Sequence, residues 1–169
     1  MIADYVGGDV DNFVVMMNKK AREVGMKNTK FVNPSGLDKN GIGNYSTSYD
    51  MALLTRYAMQ NDIYREIVKT KSYVAKSNLK TYVWKNKNKL LNYKYITGGK
   101  TGFTETARRT LVSTATYDGM NFIVVTLRDS DDWNTHLNLY ENAFKNYKNY
   151  LVLSKKNYIV LEDKYYDNL

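Results

Sequence analysis

A chain of 169 residues and 19.6 kDa is the size of one ordinary domain or a large piece of one, and 43% hydrophobic with 25% charged residues excludes collagen-like and disordered classes. Zero cysteines remove disulfides, thiolate metal sites and cysteine nucleophiles. A single histidine, His136, leaves no His-rich metal centre and no ready Ser-His-Asp triad, so neither metal nor cofactor is expected.

The net charge of +8 would suit nucleic acid, an anionic wall polymer or a membrane surface. The nineteen Lys recur at intervals along the chain instead of stacking on one element, so no nucleic-acid partner is expected. No apolar run approaches the roughly 18 to 20 residues of a membrane span. Residues Met1 to Gly8 lack the basic start and apolar middle of a signal peptide.

In chain order, residues 9 to 24 predict an amphipathic helix, capped by Asp9 or Asp11 and ended by Gly25, with Val10, Phe13, Val14, Met17, Ala21 and Val24 facing a core. Met26 to Tyr45 is a loop rich in turn formers, ordered or not. Thr47-Ser48-Tyr49-Asp50 has the capping-box pattern and starts a second helix reaching about Asn61, with a short third from Ile63 to Val68. Thr70 to Ala75 and Thr81 to Trp84 read as strands around a turn, and Arg109 to Thr116 with Asn121 to Arg128 flank the hairpin signal Asp118-Gly119. Asp131 to Tyr147 returns to helical spacing, and Tyr150 to Val160 reads as one or two strands. The order implies an α+β fold, an antiparallel sheet with packed helices.

The chemistry concentrates in Gly98-Gly99-Lys100-Thr101-Gly102-Phe103-Thr104. A phosphate-binding loop fails here: the position of its first glycine is Lys94, and the run from Phe103 onward reads as strand rather than helix. The alternative is a strand whose edge presents Lys100 and Thr101 to a cleft, with Gly102 leaving room for a substrate backbone.

With Phe31-Val32-Asn33-Pro34-Ser35-Gly36-Leu37-Asp38, Tyr45-Ser46-Thr47, Lys100-Thr101-Gly102-Phe103-Thr104 and Leu111-Val112-Ser113 in that order, the chain resembles the serine D-alanyl-D-alanine carboxypeptidases, low-molecular-mass penicillin-binding proteins of the β-lactamase/transpeptidase-like superfamily. The resemblance implies a partial domain of that fold. Residues 1–148 would be the C-terminal portion of the catalytic domain, and 149–169 the start of a β-rich domain or a tail. It also implies that Lys100, Thr101 and Gly102 hold the carboxyl end of a peptidoglycan D-Ala-D-Ala stem peptide by charge, hydroxyl and strand addition. Thr104 is a candidate further hydroxyl and Arg128 a candidate further cation, against a solvated strand end. Arg108 stands where relatives often carry Gly.

The family works by three boxes, and the sequence has one. It contains no Ser-x-Asn, and its single Ser-x-x-Lys, Ser77 to Lys80, falls at a turn between strands, where no helix brings the ammonium beside the hydroxyl. Nucleophile and base are therefore expected upstream of Met1, with no catalytic residue in this chain, and a β-lactam would bind only if the missing half is supplied. The absent nucleophile helix is expected to leave apolar sheet surface for an oligomer or partner chain. The parent protein is expected outside the cytoplasmic membrane. The competing reading is a non-catalytic module for cell-wall peptide or anionic polymer. His136 reads as a satisfied surface or boundary histidine, and Trp84 and the tyrosines as packing rather than a sugar platform.

Overall fold

The computed structural model describes residues 1–38 and 40–149; the strands expected from Tyr150 to Val160, and with them nearly all of the segment 149–169, lie outside the described residues. Helices α1 (Ile2–Gly7) and α2 (Val10–Val24) open the chain, α1 being additional to the elements that the sequence pattern predicts. The Asp9 carboxylate caps α2 by accepting the Asn12 amide at 2.7 Å, and Gly25 closes it at φ 90°, in the left-handed region that strains a side chain. The predicted inward face holds in part: Ala21 is buried, Phe13, Val14, Met17 and Val24 are half-buried, and Val10 is exposed.

Helix α3 (Ser48–Ala58) starts at the predicted cap, where the Thr47 hydroxyl accepts the Asp50 amide at 3.1 Å. Helix α4 (Asp62–Lys69) starts where the Asn61 side chain accepts the Tyr64 amide at 3.0 Å. Strands β1 (Ser72–Lys76) and β2 (Thr81–Lys85) pair antiparallel as a separate two-stranded sheet. The Ser77 hydroxyl closes their turn, accepting the Lys80 amide at 3.0 Å and donating to the Lys80 carbonyl at 3.1 Å. That geometry is a β-turn, so the Ser-x-x-Lys match has no helical turn behind it.

A 3-10 turn, Lys89–Asn92, leads into the main sheet of β3 (Ile96–Thr104), β4 (Arg108–Tyr117) and β5 (Met120–Leu127), antiparallel in the order β3-β4-β5. Asp118 at φ 48° and Gly119 at φ 72° form the two-residue primed turn that their pair predicts. The β3–β4 register shifts between Ile96 and Gly98, a bulge at Thr97, after which Gly99, at φ 147°, lies in register opposite Ser113.

Helix α5 (Asp132–Asn146) lies over β4 and β5, α3 over β5, and α4 against β3. Side chains alternate along β4, so Leu111, Ser113 and Ala115 turn to α5 and are buried. The core is Leu90, Leu91, Ile96, Leu111, Ala115 and Tyr140, ringed by aromatics that meet at Phe144, with Tyr117 at 4.4 Å and Tyr95 at 5.0 Å between ring centroids. Apolar surface is left over, but it is spread over α1, α2, α3, α4 and the β1–β2 turn (Tyr5, Val15, Tyr49, Ile63 and Leu79 are exposed), while on β5 Ile123 and Val125 are half-buried and Leu127 is exposed.

His136 corrects the expectation of a surface or boundary residue, because it is fully buried between α5 and the sheet. Its Nδ1 is 2.6 Å from the Ser113 hydroxyl, its Nε2 is 3.0 Å from the Thr126 hydroxyl, and Ser113 also meets the Tyr140 hydroxyl at 2.7 Å. Burial holds the imidazole down at a pKa of about 4 and pushes the Tyr140 phenol up. Sequence carries no sign of this because its two hydroxyl partners come from β4 and β5, 23 and 10 residues away.

Candidate functional site

β3 is an edge strand. It pairs with β4 on one side, and among the described residues nothing pairs with its other side. Lys100 and Gly102 are exposed on one face of this strand and Thr101 is half-buried on the other. The glycines around them have steric reasons. A Cβ on Gly98 would run into the Val68 side chain of α4, and one on Gly99 into the Val112 carbonyl. A Cβ on Gly102 would come within 2.5 Å of the Thr110 hydroxyl across the ladder. The Gly-Gly-Lys-Thr sequence therefore lies within a strand, as the second reading requires, and cradles no helix-borne phosphate site.

The loop between α2 and α3 is ordered by side-chain amides, which substitute for a backbone ladder. The Asn18 side chain donates to the Phe31 carbonyl at 2.7 Å and accepts its amide at 2.9 Å. Asn44 accepts the Val32 amide at 2.7 Å and donates to the Asn33 carbonyl at 3.0 Å. Asn33 in turn folds the Pro34-Ser35-Gly36 turn, accepting the Gly36 amide at 2.7 Å. Below them the buried Asp50 carboxylate accepts the Asn28 amide at 2.7 Å and the Thr29 hydroxyl at 2.8 Å, which locks the loop to the start of α3.

The far end of this loop reaches β3. Thr104 donates its hydroxyl to Asp38 at 3.0 Å and accepts the Ala107 amide at 2.9 Å. The motifs around residues 31–38, 45–47 and 100–104 are thus joined in space. Asp38, quoted within a motif but given no role from sequence, is the link between them. Thr104 consequently spends its hydroxyl on holding loop to strand. Lys100 turns its ammonium to the Thr101 carbonyl. Arg128 stands apart from this group: Leu127, Thr110 and Gly102 form one row across the sheet, which puts Arg128 two strands, about 10 Å, from Gly102. It is exposed, with φ 59°.

At the turn that ends β3, Arg108 has φ 58°, a left-handed conformation that accounts for the glycine expected there. Its neighbour Arg109 forms an ion pair with the buried Asp132 and lies 5.3 Å from the Trp133 ring, tying β4 to the start of α5. The Asp132 carboxylate holds the Arg109 guanidinium above its usual pKa. Ser113 and His136 have the spacing of a nucleophile and base, but both are fully buried and no substrate carbonyl can reach them.

The D-alanyl-D-alanine carboxypeptidase family model matches residues 1–131. D-alanyl-D-alanine carboxypeptidase DacF of Bacillus subtilis (strain 168) is 35% identical over 126 residues, covering 73% of this chain and 32% of that protein. The D-alanyl-D-alanine carboxypeptidase of Streptomyces sp. (strain K15) is 39% identical over 121 residues, covering 68% and 41%. Among solved structures, the D-alanyl-D-alanine carboxypeptidase of Mycobacterium tuberculosis H37Rv superposes with a TM-score of 0.78 at 30% identity, over 84% of this chain and 56% of that one. The chain spans about a third to two fifths of the length of these curated relatives. An α+β fold with an antiparallel sheet, a Lys-Thr-Gly edge strand tied to the Asn-Pro-Ser-Gly loop, and a family model running from residue 1 to residue 131 together place this chain in the D-alanyl-D-alanine carboxypeptidase family.

Proposed function

We propose that this chain is the substrate-holding part of a serine D-Ala-D-Ala carboxypeptidase, with nucleophile and base supplied by residues outside it. The free edge of β3 carries the reading: an unpaired backbone ladder beside an exposed cation at Lys100, the Thr101 hydroxyl, and a bare Gly102. An extended stem peptide adds there as a further strand, and its terminal carboxylate meets Lys100 and Thr101. Thr104 acts through Asp38, keeping the end of β3 against the loop, and Arg128 contributes a distant cation at the same end of the sheet. Such an edge binds and orients. Opening the amide needs an activated hydroxyl, and the chain's one Ser-x-x-Lys sequence is the turn closed by Ser77. The substrate places the working protein outside the cytoplasmic membrane, and a partner or second copy covers the apolar surface of β5.

The test is capture of an acylated D-Ala-D-Ala peptide by the full chain, with the L-Ala-L-Ala peptide as control. Lys100→Ala is expected to abolish capture; equal binding of both peptides, or of wild type and variant, would defeat the proposal. Fluorescent penicillin is expected to leave the chain unlabelled by itself and to give label once a polypeptide bearing Ser-x-x-Lys and Ser-x-Asn is added. The competing reading, a non-catalytic module for wall peptide or anionic polymer, is favoured by the lack of Ser-x-Asn in the sequence and predicts no label in either case.

A further inference from the structure

The positive charge is less evenly spread than the lysine intervals suggest. Between Glu66 and Glu105 there are nine Lys and no Asp, Glu or Arg, so this stretch carries +9 against +8 for the whole chain. Its outermost part is the β1–β2 hairpin, on which no other described element packs extensively. Trp84, expected to be a packing residue, packs only against its neighbours on the hairpin. Trp84 is 58% exposed and Tyr73 is 59% exposed, with their rings stacked 6.2 Å apart. Tyr82, two residues before Trp84 and so on the same face, has its ring 6.1 Å from it, and the Lys80 ammonium lies 5.3 Å from the Tyr82 ring.

These rings support one another instead of the core, and apolar surface kept in water on a lysine-rich hairpin marks a contact site. The chemistry selects its occupant. A second copy would bring the same acid-free, lysine-bearing surface against itself, and like charges repel. A lipid surface would have to take up the tip, where Leu79 is the one apolar side chain between Lys76 and Lys80. A polymer that offers flat ring faces and carboxylates together satisfies both halves of the surface.

We infer that the β1–β2 hairpin is a docking surface for the glycan chain of peptidoglycan, sugar rings lying on Tyr73, Tyr82 and Trp84 and the flanking lysines meeting carboxylates, those of the stems in the intact wall and those of the muramic acid residues once an amidase has removed the stems. This rests on the reading that the β3 edge takes a wall stem peptide, since such a peptide arrives attached to that polymer. Holding the polymer raises the local concentration of stems at the strand edge.

The experiment is co-sedimentation of the full chain with insoluble peptidoglycan, before and after an amidase strips the stem peptides, with phosphatidylglycerol vesicles and a single-stranded oligonucleotide as competitors. The chain is expected to pellet with both wall preparations, less so as salt rises. Trp84→Ala is expected to weaken binding about tenfold, the scale of one lost aromatic platform, with an unchanged circular dichroism spectrum, and Trp84→Phe to recover most of it. Lys100→Ala is expected to pellet normally while losing capture of the soluble peptide, so hairpin and strand edge fail separately. Trp84→Ala pelleting like wild type, loss of binding once stems are removed, or displacement from the wall by vesicles or oligonucleotide would each overturn the inference.

Discussion

Acidification should loosen this fold through one residue. His136 is fully buried with a pKa of about 4, whereas in the unfolded chain it returns to 6.5. Its surroundings are hydroxyls from Ser113, Thr126 and Tyr140, with the carboxylates of Asp132 and Asp129 favouring the charged form less strongly than burial opposes it. Both hydroxyls at the ring nitrogens can accept from an imidazolium, so protonation costs desolvation rather than hydrogen bonds. The unfolded state binds more protons between the two pKa values, so the stabilisation is complete above 6.5 and is lost as pH falls toward 4. A gap of about 2.5 pKa units corresponds to about 3 kcal/mol, of which about 2.5 is lost by about pH 4.5. Urea denaturation of the wild type at about pH 7 and about pH 4.5 reads this directly, beside His136→Gln, which keeps a polar group but cannot titrate there. The variant is expected to be less stable at neutral pH and much flatter with pH. A wild type equally stable at both, or a variant that loses as much as wild type, would refute the assignment.

Other substitutions test the scaffold of the candidate site. Asp50→Ala leaves the Asn28 amide and Thr29 hydroxyl without their buried acceptor and is expected to cost about 3 kcal/mol in urea denaturation. Thr104→Val removes the tie to Asp38, with an expected cost of about 1 kcal/mol and faster hydrogen exchange along residues 40–44 and at Ala107. Arg108→Gly relieves the left-handed backbone at φ 58° and is expected to raise stability by about 1 kcal/mol, read as a higher melting temperature.

What could be read from sequence was local. Asp9 and Gly25 bounding α2, Thr47 starting α3 and Asp118-Gly119 turning β4 into β5 each act within four residues of chain, and each forms as its chemistry predicts. Lys100, Thr101 and Gly102 were legible as an edge strand because the glycines have no helical or phosphate-loop alternative that fits their neighbours. The order of the loop before α3 was not legible, since Asn18 and Asn44 reach 13 and 11 residues along the chain to fix it. The tie between Thr104 and Asp38 was not legible for a similar reason, its two ends lying 66 residues apart. The exposure of Trp84 was not legible because strand spacing identifies the faces of a hairpin without saying whether anything lies on them.

The bulge between Ile96 and Gly98 has a consequence for parity. Strand side chains alternate, so every residue after the shift takes the orientation opposite to that of an uninterrupted strand. Without that extra residue the ammonium of Lys100 would swing beneath α5 and the Thr101 hydroxyl would change sides with it. Thr97, the residue that the bulge takes up, thereby sets the phase of the Lys-Thr-Gly end of the strand, and lengthening or shortening the chain there by one residue would exchange the faces of Lys100 and Thr101 while leaving their sequence intact.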